Sequence, residues 1–243
     1  MEKKNKGMNK MKLSIIIPVF NEEKTLKEVI NKIEMVNLIG NLEREIVLVE
    51  DASRDLTGKI MEEYEKKEGF KVIRHKENKG KGASVTDGIK AASGDFLIIQ
   101  DADLEYDPDD YNKILPMLLN GEAEVVYGSR FLKEESIKKM TWKQYFSNKI
   151  LTIFSNFLTG LKLTDMETCY KAFTKKVADE IKNKLISERF GIEPEITARV
   201  KKFEIKEVPI SYKGRSYGEG KKIGWKDGFS AIWQIIKFNI FKK

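Results

Sequence analysis

Cysteine and histidine are almost absent from this chain of 243 residues, which contains one of each, Cys169 and His75. A lone cysteine excludes an internal disulfide and a cysteine-based zinc site, and a lone histidine excludes a multi-histidine metal centre. Any metal ion must therefore be bound by oxygen ligands. We expect Cys169 to be a small buried apolar residue and His75 to lie on the surface at a strand end.

Long hydrophobic runs are also missing. No stretch reaches the roughly 18 uninterrupted apolar residues that a spanning helix needs, and the basic N-terminus is not followed by an apolar signal core. The sequence therefore predicts no transmembrane segment and no secretion signal, and we expect a cytoplasmic protein.

Repeats and low-complexity linkers are absent as well. Apolar residues make up 41% of the chain and aromatic residues 10%, which excludes a disordered protein because this much apolar surface offsets the entropy of ordering. The length suits one well-cored domain. We predict a basic N-terminal tail over 1–12 and a single domain over 13–243, divided into halves at 13–128 and 129–243.

The net charge of +7 is concentrated at the two ends of the chain. Residues 1–12 carry five lysines and one glutamate, and residues 213–243 carry seven lysines and one arginine against two acids. Basic ends on a slightly acidic body suit nucleic acid, an anionic membrane surface or a phosphate-bearing ligand. Charge alone does not choose among these partners.

Short apolar runs alternate with stretches of helical spacing. Strands are predicted at 13–19, 45–50, 71–75, 96–100, 124–127 and 204–212, and helices near 22–36, 56–68, 82–92, 109–120, 146–161, 174–185 and 224–241. Apolar rather than alternating strands indicate a sheet that is covered on both faces. The sequence therefore predicts an α/β fold with a doubly wound, mostly parallel sheet and a C-terminal elaboration.

Two of the predicted helices, at 146–161 and 224–241, carry aromatic stripes. The stripes comprise Phe146, Ile150, Phe154, Phe157 and Leu161 in the first helix, and Trp225, Phe229, Trp233, Ile236 and Ile240 in the second. A stripe at this spacing more often packs in a core, and the alternative is insertion into a lipid headgroup layer.

Polar residues follow the predicted strands at the edge where parallel sheets bind ligands. The segments 18–23 and 50–55 are rich in acids, and their simplest role is helix capping. Asp101, Asp103 and Glu105 are harder to explain in that way, because three crowded carboxylates repel one another unless a cation offsets them. We predict that these three residues bind Mg²⁺ or Mn²⁺, which implies a phosphorylated substrate.

Two glycines and two lysines alternate at 79–82, just before the predicted third helix. Glycines at a helix N-terminus free backbone N–H groups for an anion, and lysines add positive charge. The segment matches neither a dinucleotide fingerprint nor a P-loop. It is a weak indication of a diphosphate site.

Several ordered motifs together resemble the family 2 glycosyltransferases of the GT-A fold. They lie at 17–23, 50–57, 78–82, 101–103 and 128–130. Later motifs at 165–171, 190–196 and 215–223 resemble the dolichyl- or polyprenyl-phosphate mannosyltransferases. The matches run from about residue 13 to the C-terminus.

The resemblance implies roles for individual residues. The nucleotide sugar would contact Pro18, Phe20, Asn21, Glu22, Glu50, Asp51, Lys81, Asp101, Ala102 and Asp103, with the metal on Asp101 and Asp103. The lipid phosphate would contact Arg130, Lys143, Ser147 and Arg215, with Lys222 beside them, and Asp103, Arg130 and Arg215 would be the catalytic residues. Glu105 stands where these enzymes often have glutamine, and Lys143 stands where they often have arginine. Asp165 is either a base, as in related enzymes with hydroxyl acceptors, or a partner of Lys171 or a helix cap.

The resemblance further implies an inverting, metal-dependent transfer of a hexose, with mannose from GDP-mannose as the first candidate. The acceptor would be a polyprenyl phosphate at the cytoplasmic face of a membrane, where the enzyme is peripheral. Alternatives are another donor such as UDP-glucose, or an acceptor hydroxyl. A nucleic-acid-binding module is a remote alternative, because it has no use for acidic strand ends, so we expect no nucleic-acid partner.

Overall fold

The computed structural model describes residues 10–214 and 225–241, with side chains of the final helix from residue 230 onward. Most of the predicted basic tail lies outside these ranges. So do Arg215 and Lys222 from the predicted acceptor site.

The centre of the molecule is a sheet of seven strands in the order β3-β2-β1-β4-β6-β5-β7. The strands are β1 Lys12–Val19, β2 Glu43–Glu50, β3 Phe70–Arg74, β4 Phe96–Ile99, β5 Val125–Ser129, β6 Lys171–Thr174 and β7 Ile205–Pro209. β1 pairs in parallel with β2 and β4, β2 with β3, and β5 with β7. The predicted α/β class with a mostly parallel sheet is confirmed.

Strand β6 is the exception, because it runs antiparallel to both β4 and β5. Its first residue, Lys171, pairs with Tyr127 in the middle of β5, and the preceding Tyr170 accepts a hydrogen bond from Gly128 towards the carboxyl end of that strand. The segment that leads into β6, residues 165–170, is therefore at the edge where the parallel strands end. Six strands were expected from the sequence, and β6 was not among them.

Helices connect and cover the strands. They are α1 Leu26–Met35, α2 Thr57–Met61, α3 Lys81–Ala91, α4 Tyr111–Leu119, α5 Glu134–Lys138, α6 Trp142–Thr159, α7 Lys175–Ile181, α8 Ile192–Val200 and α9 Trp225–Ile236, which continues as π-helix over Lys237–Phe241. The inner face of α1 shows how they form, since Leu26, Val29, Ile30 and Ile33 recur at helical spacing and all are buried. α3 packs on β1 and β2 so closely that a Cβ at Gly88 would lie 2.4 Å from the Ile16 side chain.

The spacing of the aromatic stripe of α6 favoured packing in the core. Only part of the stripe does so. Phe154 and Leu161 pack against the core, whereas Phe146, Ile150 and Phe157 are exposed to solvent. A polar Thr141 begins this helix with a capping box to Gln144, and Gly160 ends it with a left-handed φ of 77°. None of the helices in the described ranges is both long enough and apolar enough to cross a membrane.

Candidate active site

The loops after β1 and β2 interlock at the carboxyl edge of the sheet. The backbone N–H of Asn21 donates to Ser53 Oγ at 3.0 Å, and Asn21 Oδ1 accepts from the backbone N–H of Arg54 at 2.8 Å. Asn21 and Ala52 both adopt positive φ, at 55° and 56°, so the two turns are sharp. These hydrogen bonds bring the predicted nucleotide-binding residues of the two loops side by side, namely Pro18, Phe20, Asn21, Glu22, Glu50 and Asp51.

The Asp51 carboxylate organises the next loop. It accepts hydrogen bonds from the backbone N–H groups of Lys79 and Gly80 at 2.8 and 2.7 Å and from Asn78 Nδ2 at 2.8 Å. Its Oδ1 also lies 2.7 Å from Nδ1 of His75. Asp51 is 2% exposed, so this carboxylate positions the 78–80 segment in addition to any contact with a ligand.

The expectation that His75 lies on the surface is wrong. Its ring is buried and bridges two carboxylates, with Nδ1 at 2.7 Å from Asp51 and Nε2 at 3.2 Å from Asp87. Cys169 is buried, as expected. The sequence contained no local signal for the His75 bridge, because its partners lie 24 and 12 residues away.

The two glycines at the start of α3, Gly80 and Gly82, serve a close packing contact. The N–H groups of Gly82 and Ala83 donate to the carbonyls of Arg189 and Glu188 at 3.1 and 3.0 Å. A Cβ on Gly82 would lie 2.3 Å from the carbonyl oxygen of Ser187. The N–H groups of Gly82 and Ala83 are therefore already paired in this structure, and the glycines admit the 187–189 segment.

Lys81, the first residue of α3, is a cation held between two carboxylates. Its Nζ lies 2.8 Å from Asp101 Oδ1 and 2.9 Å from Glu193 Oε1. Burial by itself would lower the pKa of Lys81, but the two carboxylates raise this pKa well above its ordinary value. Burial likewise opposes the charge of Asp101, and the neighbouring Lys81 nevertheless lowers the Asp101 pKa. Both groups are therefore charged at neutral pH.

The other predicted metal ligands have their own hydrogen bonds. Asp103 Oδ1 accepts from the backbone N–H of Glu105 at 3.1 Å, and Glu105 Oε2 accepts from the Tyr212 hydroxyl at 2.9 Å. Over residues 10–214 and 225–241, no group of three or more His, Cys, Asp or Glu side chains is gathered for a metal ion. The structure thus does not assemble Asp101, Asp103 and Glu105 into a three-carboxylate site.

The carboxylate oxygens at this edge of the sheet still suit a hard divalent cation. Asp101 and Asp103 offer carboxylate oxygens at the end of β4, and Mg²⁺ commonly takes one or two carboxylates together with waters and substrate phosphates. Two residues suffice for such a site when a diphosphate supplies further oxygens.

Arg130 and Asp165 form a buried ion pair at the end of β5. Arg130 Nε and Nη2 each donate to Asp165 at 2.7 Å, and the backbone N–H of Arg130 adds a third bond at 3.1 Å. Burial alone would lower the pKa of Arg130, but Asp165 raises it well above its ordinary value. The partner of Asp165 is therefore Arg130, where the sequence had suggested a base, a cap or a partner of Lys171.

Two titratable residues that sequence reasoning did not assign to the site, Glu167 and Lys171, lie near members of both ion pairs, Glu193 and Asp165. Lys171 is 1% exposed, and its ammonium donates to the carbonyl of Thr168. Burial, reinforced by the nearby charge of Glu193, raises the pKa of Glu167 to about 7. The sequence could not indicate these two residues as part of the site, because it is strand β6 that brings residues 165–171 to the site edge.

The remaining predicted acceptor residues lie on α6. Lys143 and Ser147 are both exposed on its first two turns. Tyr145 of the same helix contacts Phe131 edge-to-face, with ring centroids 5.3 Å apart. α6 therefore begins beside the Arg130 end of the site.

Comparison with known proteins agrees with this architecture. The family model described as "Glycosyl transferase family 2" matches residues 14–182. A UDP-N-acetylglucosamine–dolichyl-phosphate N-acetylglucosaminyltransferase of Methanococcus voltae is 30% identical over 94% of this chain and 96% of its own length. A dolichol-phosphate mannosyltransferase of Pyrococcus furiosus is 32% identical over 88% of this chain, which covers 60% of that longer protein.

A solved structure supports the fold. Glucosyl-3-phosphoglycerate synthase from Mycobacterium tuberculosis, in complex with Mn²⁺, uridine diphosphate and glucosyl-3-phosphoglycerate, superposes with a TM-score of 0.69 at 16% identity. The match covers 94% of this chain and 78% of that one. Since the family model matches more than half of the sequence and the sheet has the GT-A architecture, this chain belongs to glycosyl transferase family 2.

Proposed function

We propose that this glycosyltransferase moves a hexose from a nucleotide sugar to the phosphate of a polyprenyl phosphate, with inversion at the anomeric carbon. GDP-mannose is the donor that the motifs favour, so the transferred hexose would be mannose. The acceptor would be reached at the cytoplasmic face of a membrane.

One observation carries the proposal, the position of Tyr212 between the two halves of the site. Its hydroxyl donates to Glu105, in the acidic segment after β4, at 2.9 Å. Its ring centroid lies 5.3 Å from the guanidinium carbon of Arg130. A carboxylate-rich donor side and an arginine suited to phosphate therefore share one edge of the sheet, which is what joining two phosphate-bearing substrates requires.

The Arg130 guanidinium is held in one orientation for this task. Its bonds to Asp165 use the Nε and Nη2 edge, so the Nη1 side of the fork lies away from Asp165. A rigid cation of this kind binds phosphate without losing side-chain freedom at the moment of binding. Asp165 thus acts as the residue that positions Arg130.

A phosphate acceptor also removes the need for a strong general base. The second pKa of a phosphate monoester is near 6, so its attacking oxygen is already largely ionised at about pH 7. On the donor side, Lys81 would stabilise charge that develops on the departing diphosphate. Asp101 and Asp103 would hold a divalent cation, Mg²⁺ or Mn²⁺, which when bound supplies Lewis-acid stabilisation to the same leaving group.

A second donor has an observation in its favour. The Methanococcus voltae relative is named for UDP-N-acetylglucosamine, and the similarity spans almost the whole of both chains. The names of both relatives contain dolichyl phosphate or dolichol phosphate as the acceptor. The acceptor class is therefore the better supported half of the proposal.

The test is turnover of a panel of radiolabelled GDP-mannose, UDP-N-acetylglucosamine and UDP-glucose with a short polyprenyl phosphate or an oligosaccharide as acceptor. We expect lipid-linked product from one donor, and its loss in Asp103→Asn but not in Asp109→Asn, an exposed aspartate of the same connection. Product with saccharide acceptors alone would refute the lipid-phosphate assignment. Salt-sensitive duplex binding that survives a combined Asp101→Ala and Asp103→Ala change, without nucleotide-sugar binding, would instead favour the nucleic-acid alternative.

A further inference from the structure

The short segment from Asp165 to Cys169 connects the two ends of the site. At its start, Asp165 binds Arg130 through both carboxylate oxygens, at 2.7 Å each. At its end, Cys169 Sγ donates to the carbonyl of Ile99 at 3.6 Å and lies against the Asp101 carboxylate. Four peptide units of extended chain span at most about 14 Å. A hexose that passes from a diphosphate beside Asp101 to a phosphate beside Arg130 would therefore lie along this segment.

Glu167 is the middle residue of the segment, and one of its carboxylate oxygens is an acceptor without a partner. Its Oε1 is buried and receives no hydrogen bond from any residue that the structure describes. Lys171 lies nearby, but its ammonium donates to the carbonyl of Thr168. A buried acceptor that stays unpaired destabilises a fold, so native proteins keep few of them. Glu167 is therefore a candidate for a bond to a ligand.

Glu167 lies between the cations of the two ends of the site. Burial and the charge of Glu193 raise the pKa of Glu167, and the positive charges of Lys171 and Arg130 oppose this rise. Glu193 reaches the same region from α8, where its Oε1 lies 2.9 Å from Lys81 Nζ. Glu167 is thus near Arg130 on one side and near the partner of Lys81 on the other.

A hexose has the donors that Glu167 can use. A carboxylate accepts hydrogen bonds and donates none, whereas each free sugar hydroxyl offers an O–H donor. The phosphates that would flank the hexose are anions, which a carboxylate repels and which Lys81 and Arg130 attract. Of the groups that would meet in this site, the sugar ring is therefore the one that suits Glu167.

We propose that Glu167 binds the transferred hexose, with its carboxylate accepting hydrogen bonds from hydroxyl groups of the donor sugar. The inference rests on the proposed function, because it concerns the sugar which that function transfers. An analogue without the bound hydroxyl would leave a buried acceptor unpaired, and sites of this kind reject such analogues strongly. Glu167 is thus a residue that determines which sugars the site accepts.

Calorimetric titration of the full chain in the presence of Mn²⁺ tests the proposal without any acceptor. The ligands are GDP-mannose and GDP in one pair, and UDP-N-acetylglucosamine and UDP in the other. The affinity for a nucleotide sugar divided by the affinity for its bare nucleoside diphosphate gives the contribution of the sugar, which we call the sugar ratio. The variants are Glu167→Gln, which keeps the shape of the side chain, and Glu167→Ala.

Glu207→Gln is the matched control. Glu207 is also a half-buried carboxylate beside the same segment, and burial raises its pKa as well. Its oxygens are already used, because Oε2 accepts from the backbone N–H of Thr164 at 2.7 Å and Oε1 from that of Asp165 at 3.1 Å. The control therefore removes a comparable charge without removing an unpaired acceptor. Thermal melting of all chains first establishes that each variant is folded.

We expect Glu167→Ala to lower the sugar ratio of the preferred donor about tenfold or more, and Glu167→Gln to lower it about fivefold. Both variants should bind the bare diphosphate as the wild type does, and Glu207→Gln should keep the wild-type ratio. An unchanged ratio in Glu167→Gln would overturn the proposal, whether or not Glu167→Ala folds. So would a fall in kcat at an unchanged ratio, because that pattern would make Glu167 a general base.

The sugar ratio needs no acceptor, so the two proposals can fail separately. A ratio that depends on Glu167, without any product from a polyprenyl phosphate, would refute the proposed function alone. Lipid-linked product from an enzyme whose ratio does not depend on Glu167 would refute the role of Glu167 alone. A chain that binds none of the nucleotide sugars would refute both.

Discussion

Glu167 offers a sharp test of the electrostatics at the centre of the site. Its Oε1 is buried without a hydrogen-bond partner within the described part of the chain. Burial and the negative charge of Glu193 raise the pKa of Glu167 to about 7, although the positive charge of Lys171 acts in the opposite direction. We predict that Glu167→Gln stabilises the protein at alkaline pH and has little effect at acidic pH.

The magnitude follows from the displaced pKa. The ordinary value is 4.5 and the folded value is about 7, and each pKa unit corresponds to about 1.4 kcal/mol. The folded state therefore holds this proton more tightly than the unfolded state does. The resulting contribution to stability is complete below about pH 4.5 and is lost as pH rises through about 7, with a total near 3 kcal/mol as an order of magnitude.

Thermal melts of the wild type and Glu167→Gln at about pH 5 and about pH 8 check this sign. We expect the melting temperature of the variant to exceed that of the wild type by several degrees at the higher pH, because about 1 kcal/mol corresponds to about 2 to 4 °C in a chain of this size. Glu43→Gln, at an exposed carboxylate, is the control for a general charge effect. Equal differences at both pH values would refute the assigned environment of Glu167.

Three further predictions concern the buried contacts of the site. Asp165→Ala leaves Arg130 buried without its partner and should lower the free energy of unfolding by about 3 to 5 kcal/mol in urea titrations. Gly82→Ala places a Cβ 2.3 Å from a backbone oxygen, and the same assay should show a loss of about 1 to 3 kcal/mol. His75→Ala removes a buried hydrogen-bond partner of Asp51; steady-state kinetics should show a larger rise in KM for the nucleotide sugar than fall in kcat.

The sequence predicts the parallel part of the sheet well, because its inner strands β1, β2 and β4 contain apolar runs bounded by polar turns. Strand β6 was not predicted in this way. It has four residues, and its first, Lys171, is a lysine that is buried in the folded protein. Local pattern therefore could not reveal an antiparallel strand inserted between β4 and β5, nor the charged residues that it brings to the site.

Motif spacing also identified which residues stand at the strand ends, but it could not assign their partners. Arg130 and Asp165 are 35 residues apart, and Lys81 and Glu193 are 112 apart. Their pairing depends on how the 165–171 and 187–193 segments approach the sheet. The glycines at 80 and 82 show the same limit, since the sequence could not distinguish space for a ligand from space for another piece of backbone.

The orientation of α6 is the clearest case in which tertiary contacts decide what the sequence leaves open. Periodicity fixes which residues share a side of a helix, but it carries no information on whether that side meets the core or the solvent. The tertiary contacts supply the missing information, because the Thr152 hydroxyl accepts a backbone hydrogen bond from Met166 beside the site while Leu151 and Phe154 pack in the core. The Phe157 side of the helix must then face outward. One helix thus supports the fold through its inner side, borders the Arg130 end of the site through Tyr145 and leaves Phe157 exposed to solvent.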